Sequence, residues 1–133
     1  KMLGCSPDFN IKGEVNENPF MRLENKPLRT AAGHIHIGWL PPEDFVTDPA
    51  SGEHFTTCVD IAKGFFDGHL STYVPTTAEE EERLEYYGLW GSFRPKRYGI
   101  ELRAPSNLWV RSEASQRKIF NETRGHFREL TGL

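Results

Sequence analysis

Gly33-His34-Ile35-His36-Ile37-Gly38 is the stretch of sequence that most constrains the fold. Successive side chains of a β-strand point to opposite faces of its sheet, so His34 and His36 would share one face, about 6–7 Å apart along the strand. Ile35 and Ile37 would point the other way, toward a hydrophobic core. The stretch therefore predicts a sheet with one packed apolar face and one face that carries imidazoles and is suited to chemistry.

Length and composition predict one globular domain. The chain has 133 residues, which is long enough to bury a hydrophobic core. Its formal net charge of −3 at pH 7 argues against broad nucleic-acid binding. Any anion site must therefore come from a local cluster of Arg and Lys. No apolar run approaches the roughly 20 residues of a membrane span, and no secretory signal is visible. Cys5 and Cys58 have no metal or redox spacing and fit a reducing cytosol.

The rest of the pattern predicts an α+β domain. A strand over Arg29–Leu40 would end at the following prolines, and a second strand is predicted over Tyr98–Arg103. Residues 1–28 are predicted to be loop-like, with turn chemistry at Cys5–Asn10, and Trp109-Val110 is predicted to be extended. Apolar residues at three- and four-residue spacing, together with capping signals, predict three helices. These helices are Ala50–Phe66 after Asp48-Pro49, a short one after Thr77-Ala78-Glu79-Glu80, and Ser112–Leu130.

A second chemical cluster lies in the stretch from Arg94 to Arg103. Glu101 and Arg103 would share a strand face by the same period-two argument. Glu101 beside cations would stay ionised and could hold a divalent metal, and guanidinium groups suit phosphate and carboxylate. Together with the histidines, this combination would suit metal-bound ATP. The cations that precede the strand are Arg94, Lys96 and Arg97.

Each of these pieces also has a simpler structural interpretation. A histidine on a strand is more often a hydrogen-bonded packing residue than a ligand, and Glu101 with Arg103 alone would fit a cross-strand salt bridge. The preceding cations alone are typical of a solvated turn. Their combination in an acidic chain favours a functional site. The remaining histidines, which are predicted to be structural or surface residues, are His54, His69 and His126.

Two long motifs, Arg29–Gly38 and Tyr86–Trp109, resemble the phage-type amidoligases, also called COOH-NH2 ligase type 2. That family is a branch of the glutamine synthetase and glutamate–cysteine ligase superfamily, and the resemblance runs from about Gly4 to Trp109. It implies that residues 1–133 form one amidoligase-like domain, or the C-terminal portion of a larger catalytic domain. The implied fold is a curved antiparallel sheet with helices on its outer face. The implied reaction is ATP- and Mg²⁺-dependent formation of an amide through an acyl phosphate.

The resemblance also implies a role for each matched residue. His34 and Glu101 would bind Mg²⁺, and His36 would contact an ATP phosphate. Arg103 would be catalytic, holding the substrate carboxylate or the transferring phosphoryl group. Further contacts with the nucleotide phosphates would come from Arg97, which is also expected to be catalytic, and from Arg94 and Arg29. The partners implied are a carboxylate substrate and an amine acceptor, peptides included.

The sequence departs from the family pattern before Arg29. The family carries acidic metal ligands on an early Glu-x-Glu-like strand, whereas Glu14 and Glu17 lie in a loop-like setting, and Leu89-Trp90 is also unexpected. Three hypotheses therefore stand. The chain is an amidoligase or part of one, or a non-catalytic phage accessory protein that binds a host protein or a nucleotide, or an unrelated histidine metalloenzyme, which fits least well. A host-cell cytoplasmic location is expected, and sites completed across subunits would make it a homo-oligomer.

Overall fold

The computed structural model describes residues 8–16, 33–68, 78, 91–103 and 107–133. Over these residues the chain is α+β, as the sequence predicts, with a three-stranded antiparallel sheet in the order β1-β3-β2 and two helices. The strands are β1 (Ile35–Gly38), β2 (Phe93–Lys96) and β3 (Gly99–Leu102). The helices are α1 (Gly52–Gly68) and α2 (Glu113–Thr131), and short 3₁₀ turns lie at Pro42–Asp44 and Asn107–Arg111.

One face of the sheet forms the core, as the period-two pattern predicts. Ile37 of β1, Ile100 and Leu102 of β3 and Phe93 of β2 are buried on this face. Helix α1 packs against it and contributes its own apolar stripe to the same cluster. Because side chains alternate along each strand, the polar residues of all three strands are left on the opposite face. The buried residues of the helix are Cys58, Ile61, Ala62, Phe65 and Phe66.

The two helices lie close to their predicted positions. Helix α1 starts two residues later than predicted, because the Asp48 side chain accepts from the backbone of Ala50 (3.3 Å) and so closes the preceding turn instead of capping the helix. Ser112 caps α2 by accepting from Ser115 N at 3.1 Å, and Gly132 ends it in the left-handed region at φ 71°. In the described ranges, neither helix is long and apolar enough to cross a membrane.

Two local predictions were incomplete or wrong. Strand β2 was missed, because the stretch around Pro95 looks like a turn, although proline is tolerated in the outermost strand of a sheet. Trp109-Val110 was predicted to be extended but lies in a 3₁₀ turn that leads into α2. There the Gln116 side chain donates to Val110 O at 2.9 Å, which ties the turn to the following helix, a contact that β propensity alone does not indicate. Residues 29–32 of the first predicted strand lie outside the described part of the chain. The helix predicted after Thr77 also lies outside it, except for Ala78.

The segment 8–16 folds back on itself beside β2. Phe9 bridges both Val15 and Phe93, so this segment borders the sheet on the β2 side. The side chain of Asn10 accepts from Lys12 N at 2.9 Å and from Glu14 N at 3.1 Å, so the turn begins at the last residue of the stretch predicted to form one and lies mostly beyond it. The predicted turn's first residues, 5–7, lie outside the described part. The fold-back carries an acidic side chain, Asp8, to the polar face of the sheet.

Candidate functional site

The register of the sheet collects the predicted site residues on one face. His36 of β1 and Arg94 of β2 both lie directly opposite Glu101 of the central strand. Residues two positions away along each strand share the face, and Arg103 continues the ladder by donating its backbone N–H to Ser92 O at 2.9 Å. We call this surface the polar face. Its members are His34, His36, Arg94, Lys96, Glu101 and Arg103.

Glu101 lies at the centre of the polar face, and only 4% of its side chain is exposed. One carboxylate oxygen, Oε1, accepts from Arg103 Nη1 at 2.9 Å and contacts His34 Nδ1 at 2.8 Å. The other oxygen, Oε2, lies 3.2 Å from Lys96 Nζ and 3.5 Å from Arg94 Nη1. One buried carboxylate is therefore shared by three cations and an imidazole.

These neighbours keep Glu101 ionised. Burial opposes the charged form, but the hydrogen bonds with His34 and Lys96 and the charges of Arg103 and Arg94 outweigh it and hold the pKa of the carboxyl well below its usual range. A carboxylate can only accept hydrogen bonds, so Nδ1 of His34 must carry a proton and donate. This contact with Glu101 also sets the orientation of the His34 ring.

Arg103 ties the polar face to the N-terminal segment. Its side chain is 4% exposed and donates from Nε to Asp8 Oδ2 at 3.1 Å as well as to Glu101. Asp8 is itself held by Asn16, whose Nδ2 donates to Oδ1 at 2.8 Å. The contacts of Arg103 with Asp8 and Glu101 favour a role in holding the cluster together. The substrate contact that was predicted for Arg103 stays a prediction. Asp8 was missed because nothing in a turn sequence indicates a partner 95 residues away.

His36 is paired with Tyr98, a second residue that sequence reasoning did not single out. His36 Nδ1 and Tyr98 Oη are 2.5 Å apart. Partial burial lowers the pKa of His36. The positive charge of Lys96 lowers this pKa further, whereas the negative charge of Glu101 raises it without cancelling the effect of burial. Burial and the charge of Glu101 raise the pKa of Tyr98. The hydroxyl of Tyr98 therefore stays protonated and can donate to Nδ1 of a neutral His36. In that arrangement the ring hydrogen of His36 is on Nε2.

Arg97 does not join the polar face. It lies in the turn between β2 and β3, where its Nε donates to Val46 O at 3.2 Å and its guanidinium lies 6.0 Å from the centre of the Phe45 ring. Arg29 lies outside the described residues. The structure thus brings together five of the predicted site residues and adds Asp8, Lys96 and Tyr98 around them. The five are His34, His36, Arg94, Glu101 and Arg103.

The charges of this cluster suit an anion better than a metal ion. Three cations, Arg94, Lys96 and Arg103, face the two carboxylates of Glu101 and Asp8, which leaves a formal excess of one positive charge before any imidazole is protonated. A Mg²⁺ ion needs several oxygen ligands in near-octahedral geometry. Within the described ranges, no group of three or more His, Cys, Asp and Glu side chains could hold a metal ion. A divalent cation at Oε2 of Glu101 would also meet two positive side chains.

Comparisons of the chain with protein-family models, with curated proteins and with solved structures gave no match. The likeness to amidoligases consequently stands on the two sequence motifs alone.

Proposed function

We propose that the polar face binds the phosphates of ATP and that the protein is an ATP-dependent carboxylate–amine ligase. The observation that carries this proposal is the convergence of three cations and the His34 imidazole on one buried carboxylate, with His36 on the neighbouring strand opposite it, in a chain of net negative charge. Guanidinium groups match the geometry of phosphate oxygens, and the surrounding charge favours an anionic ligand. The amidoligase-like motifs support the choice of reaction and a glutamine-synthetase-like core.

Exposure divides the polar face into two groups. Glu101 and Arg103 are 4% exposed and form its frame. Arg94 is 17% and Lys96 30% exposed, so these are the more accessible cations of the polar face. His34, fixed by its bond to Glu101, lies beside them. A rigid frame beneath accessible cations is the arrangement that electrostatic stabilisation of a charged transition state requires.

The proposed reaction needs no protein nucleophile. An oxygen of the substrate carboxylate attacks the γ-phosphorus of ATP, and ADP leaves. The amine nitrogen then attacks the acyl carbon, inorganic phosphate leaves, and the amine loses a proton. Arg94 and Lys96 would stabilise the negative charge on the transferring phosphoryl oxygens. The Mg²⁺ predicted from the resemblance stays a prediction, since the described residues supply no carboxylate cluster for it.

Calorimetric titration with ATP, with and without Mg²⁺, tests the binding step. We expect saturable binding that Arg94→Gln weakens by about 10-fold or more, because a charge-assisted contact is lost. Arg117→Gln is the matched control, since Arg117 lies on α2, is 70% exposed and pairs with Glu113 of the same helix. A folded protein that binds no ATP under either condition would refute the proposal.

Catalysis is tested separately with hydroxylamine as a generic amine. Incubation with ATP and pools of carboxylic acids should yield hydroxamates and an equal amount of ADP if an acyl phosphate forms. Loss of both products in Arg94→Gln, with both retained in Arg117→Gln, would place the reaction at the polar face.

A non-catalytic anion-binding protein is the second candidate. The observation in its favour is that Glu101, the carboxylate expected to hold Mg²⁺, is already engaged by three cations and His34. Such a protein would bind ATP equally well with EDTA present and would form no hydroxamate from any pool. The amidoligase would show Mg²⁺-dependent turnover.

A further inference from the structure

A groove of about 560 Å³ runs alongside β2 and its turn, next to the polar face. Its volume falls in the range of small-molecule sites. The rings of Phe9, Phe45 and Tyr98, with Pro49, give it apolar and aromatic walls, and Pro95 of β2 also lines it. Aromatic walls of this kind favour a flat, apolar group over a hydrated ion.

Cations line the same groove. Arg94 and Lys96 belong to its lining, and both also contact Oε2 of Glu101, so they lie between the groove and the polar face. Arg97 lines it as well, with its guanidinium near the Phe45 ring. An anionic group held by Arg94 and Lys96 would therefore place whatever is attached to it at the groove.

The aromatic wall is held in place by contacts on both sides. Val46 N donates to Arg97 O at 3.1 Å, and Arg97 Nε donates back to Val46 O at 3.2 Å, which fixes the neighbouring Phe45 against the turn. The rings of Phe45 and Tyr98 have centroids 6.1 Å apart, and Tyr98 is anchored by His36. Such a wall needs little ordering when a ligand binds.

We propose that this groove binds the aromatic ring of an anionic ligand whose phosphate or carboxylate group lies against Arg94 and Lys96. The inference rests on the anion site of the proposed function and adds the part of the ligand beyond its anion. It explains why two cations of the polar face, Arg94 and Lys96, also line a groove with aromatic walls, which an anion site for inorganic phosphate alone would not need.

Titrations with inorganic phosphate, phenyl phosphate and benzoate test the groove. We expect phenyl phosphate to bind about 10- to 100-fold more tightly than inorganic phosphate, because its ring is removed from water. Comparison of phenyl phosphate with benzoate identifies which anionic group the cations prefer. Arg94→Gln should weaken the binding of inorganic phosphate and the binding of phenyl phosphate by a similar factor.

Phe45→Ala should abolish the advantage of phenyl phosphate and leave the affinity for inorganic phosphate unchanged. Phe45→Leu, which keeps most of the volume, replaces it if the alanine variant does not fold. Phe120→Ala on α2, where the ring is 63% exposed, is the control. Equal affinities for the two phosphates would refute the proposal that the groove binds a ring, without refuting the anion site. An advantage of phenyl phosphate that survives in both Phe45 variants would do the same. Failure of both phosphates to bind would overturn the groove together with its anion site.

Discussion

Replacement of Glu101 by glutamine should destabilise the fold strongly, although the two side chains have nearly the same shape. The carboxylate is the shared counter-ion of Arg94, Lys96 and Arg103, and it lies 2.9 Å from the last of these. Glutamine leaves those three cations beside one another with a single remaining carboxylate, Asp8. The loss is electrostatic, because almost no volume is removed from the core.

The magnitude follows from the burial of the pair. Glu101 and Arg103 are both 4% exposed, and removal of one partner from a buried ion pair costs roughly 3–5 kcal/mol. Lys96 is 30% exposed and can turn to water, so we expect the lower half of this range. Against a total stability of about 5–15 kcal/mol, such a loss should lower the melting temperature on the order of 10 °C.

Urea unfolding monitored by circular dichroism measures this loss. Glu113→Gln is the matched control, because it removes the same charge from an ion pair of 2.6 Å whose side chains are 83% and 70% exposed. A change of no more than about 0.5 kcal/mol is expected there. Equal effects of the two substitutions would refute the view of Glu101 as the counter-ion at the centre of the polar face.

The difference between wild type and Glu101→Gln should also depend on pH. The surrounding cations depress the pKa of Glu101 in the folded state below its unfolded value of about 4.3. The stabilisation it contributes is therefore complete above the unfolded pKa and is lost as pH falls toward the folded one. We expect the gap in unfolding free energy to be largest above about pH 5 and to shrink as pH falls below about 4. A gap that stays constant down to about pH 3 would contradict this mechanism.

Three other substitutions or modifications probe the packing, each checked by the same unfolding assay or by thiol labelling. Gly99→Ala should destabilise by several kcal/mol, because the new methyl group would overlap the carbonyl oxygen of Ile37 across the β1–β3 pair; wild-type stability would contradict the register. Gly125→Ala should instead stabilise by roughly 0.5–1 kcal/mol, since a methyl group there meets nothing within 4 Å and glycine weakens a helix. In a Cys5→Ser background, Cys58 should label with a disulfide reagent near pH 8 on the order of 1,000-fold more slowly in the folded than in the unfolded protein, because burial raises the pKa of its thiol to about 12; fast labelling of the folded chain would show that this core is open.

The strand alternation was the part of the site that sequence could predict. Side chains two residues apart on a strand lie on the same face of the sheet. This period alone placed His34 on the same face as His36, and Glu101 on the same face as Arg103. That the two pairs face each other required the register of β1 on β3, which is set by long-range pairing and not by local sequence. The pattern therefore indicated four members of the polar face, the two histidines with Glu101 and Arg103, but neither the two cations of β2 nor the contacts between these side chains.

The missed features have physical reasons of the same kind. Strand β2 is short, contains Pro95 and is followed by a turn of Arg97 and Tyr98 without glycine or asparagine, so no hairpin signal was present. Arg97 was grouped with the other cations by proximity in sequence, but the turn directs it to Val46. Asp8 comes from a fold-back whose position depends on the bridge between Phe9 and the edge strand.

The most direct test of the polar face is a nuclear magnetic resonance titration with inorganic phosphate that follows the arginine Nε–Hε resonances. We expect saturable shifts at Arg94 and Arg103, whose guanidiniums meet at Glu101, and none at Arg117 or Arg124 on α2. Shifts of similar size at all four arginines would mean diffuse attraction of phosphate to surface charge. No shift at Arg94, in a protein whose remaining spectrum shows it to be folded, would contradict an anion site on this face of the sheet.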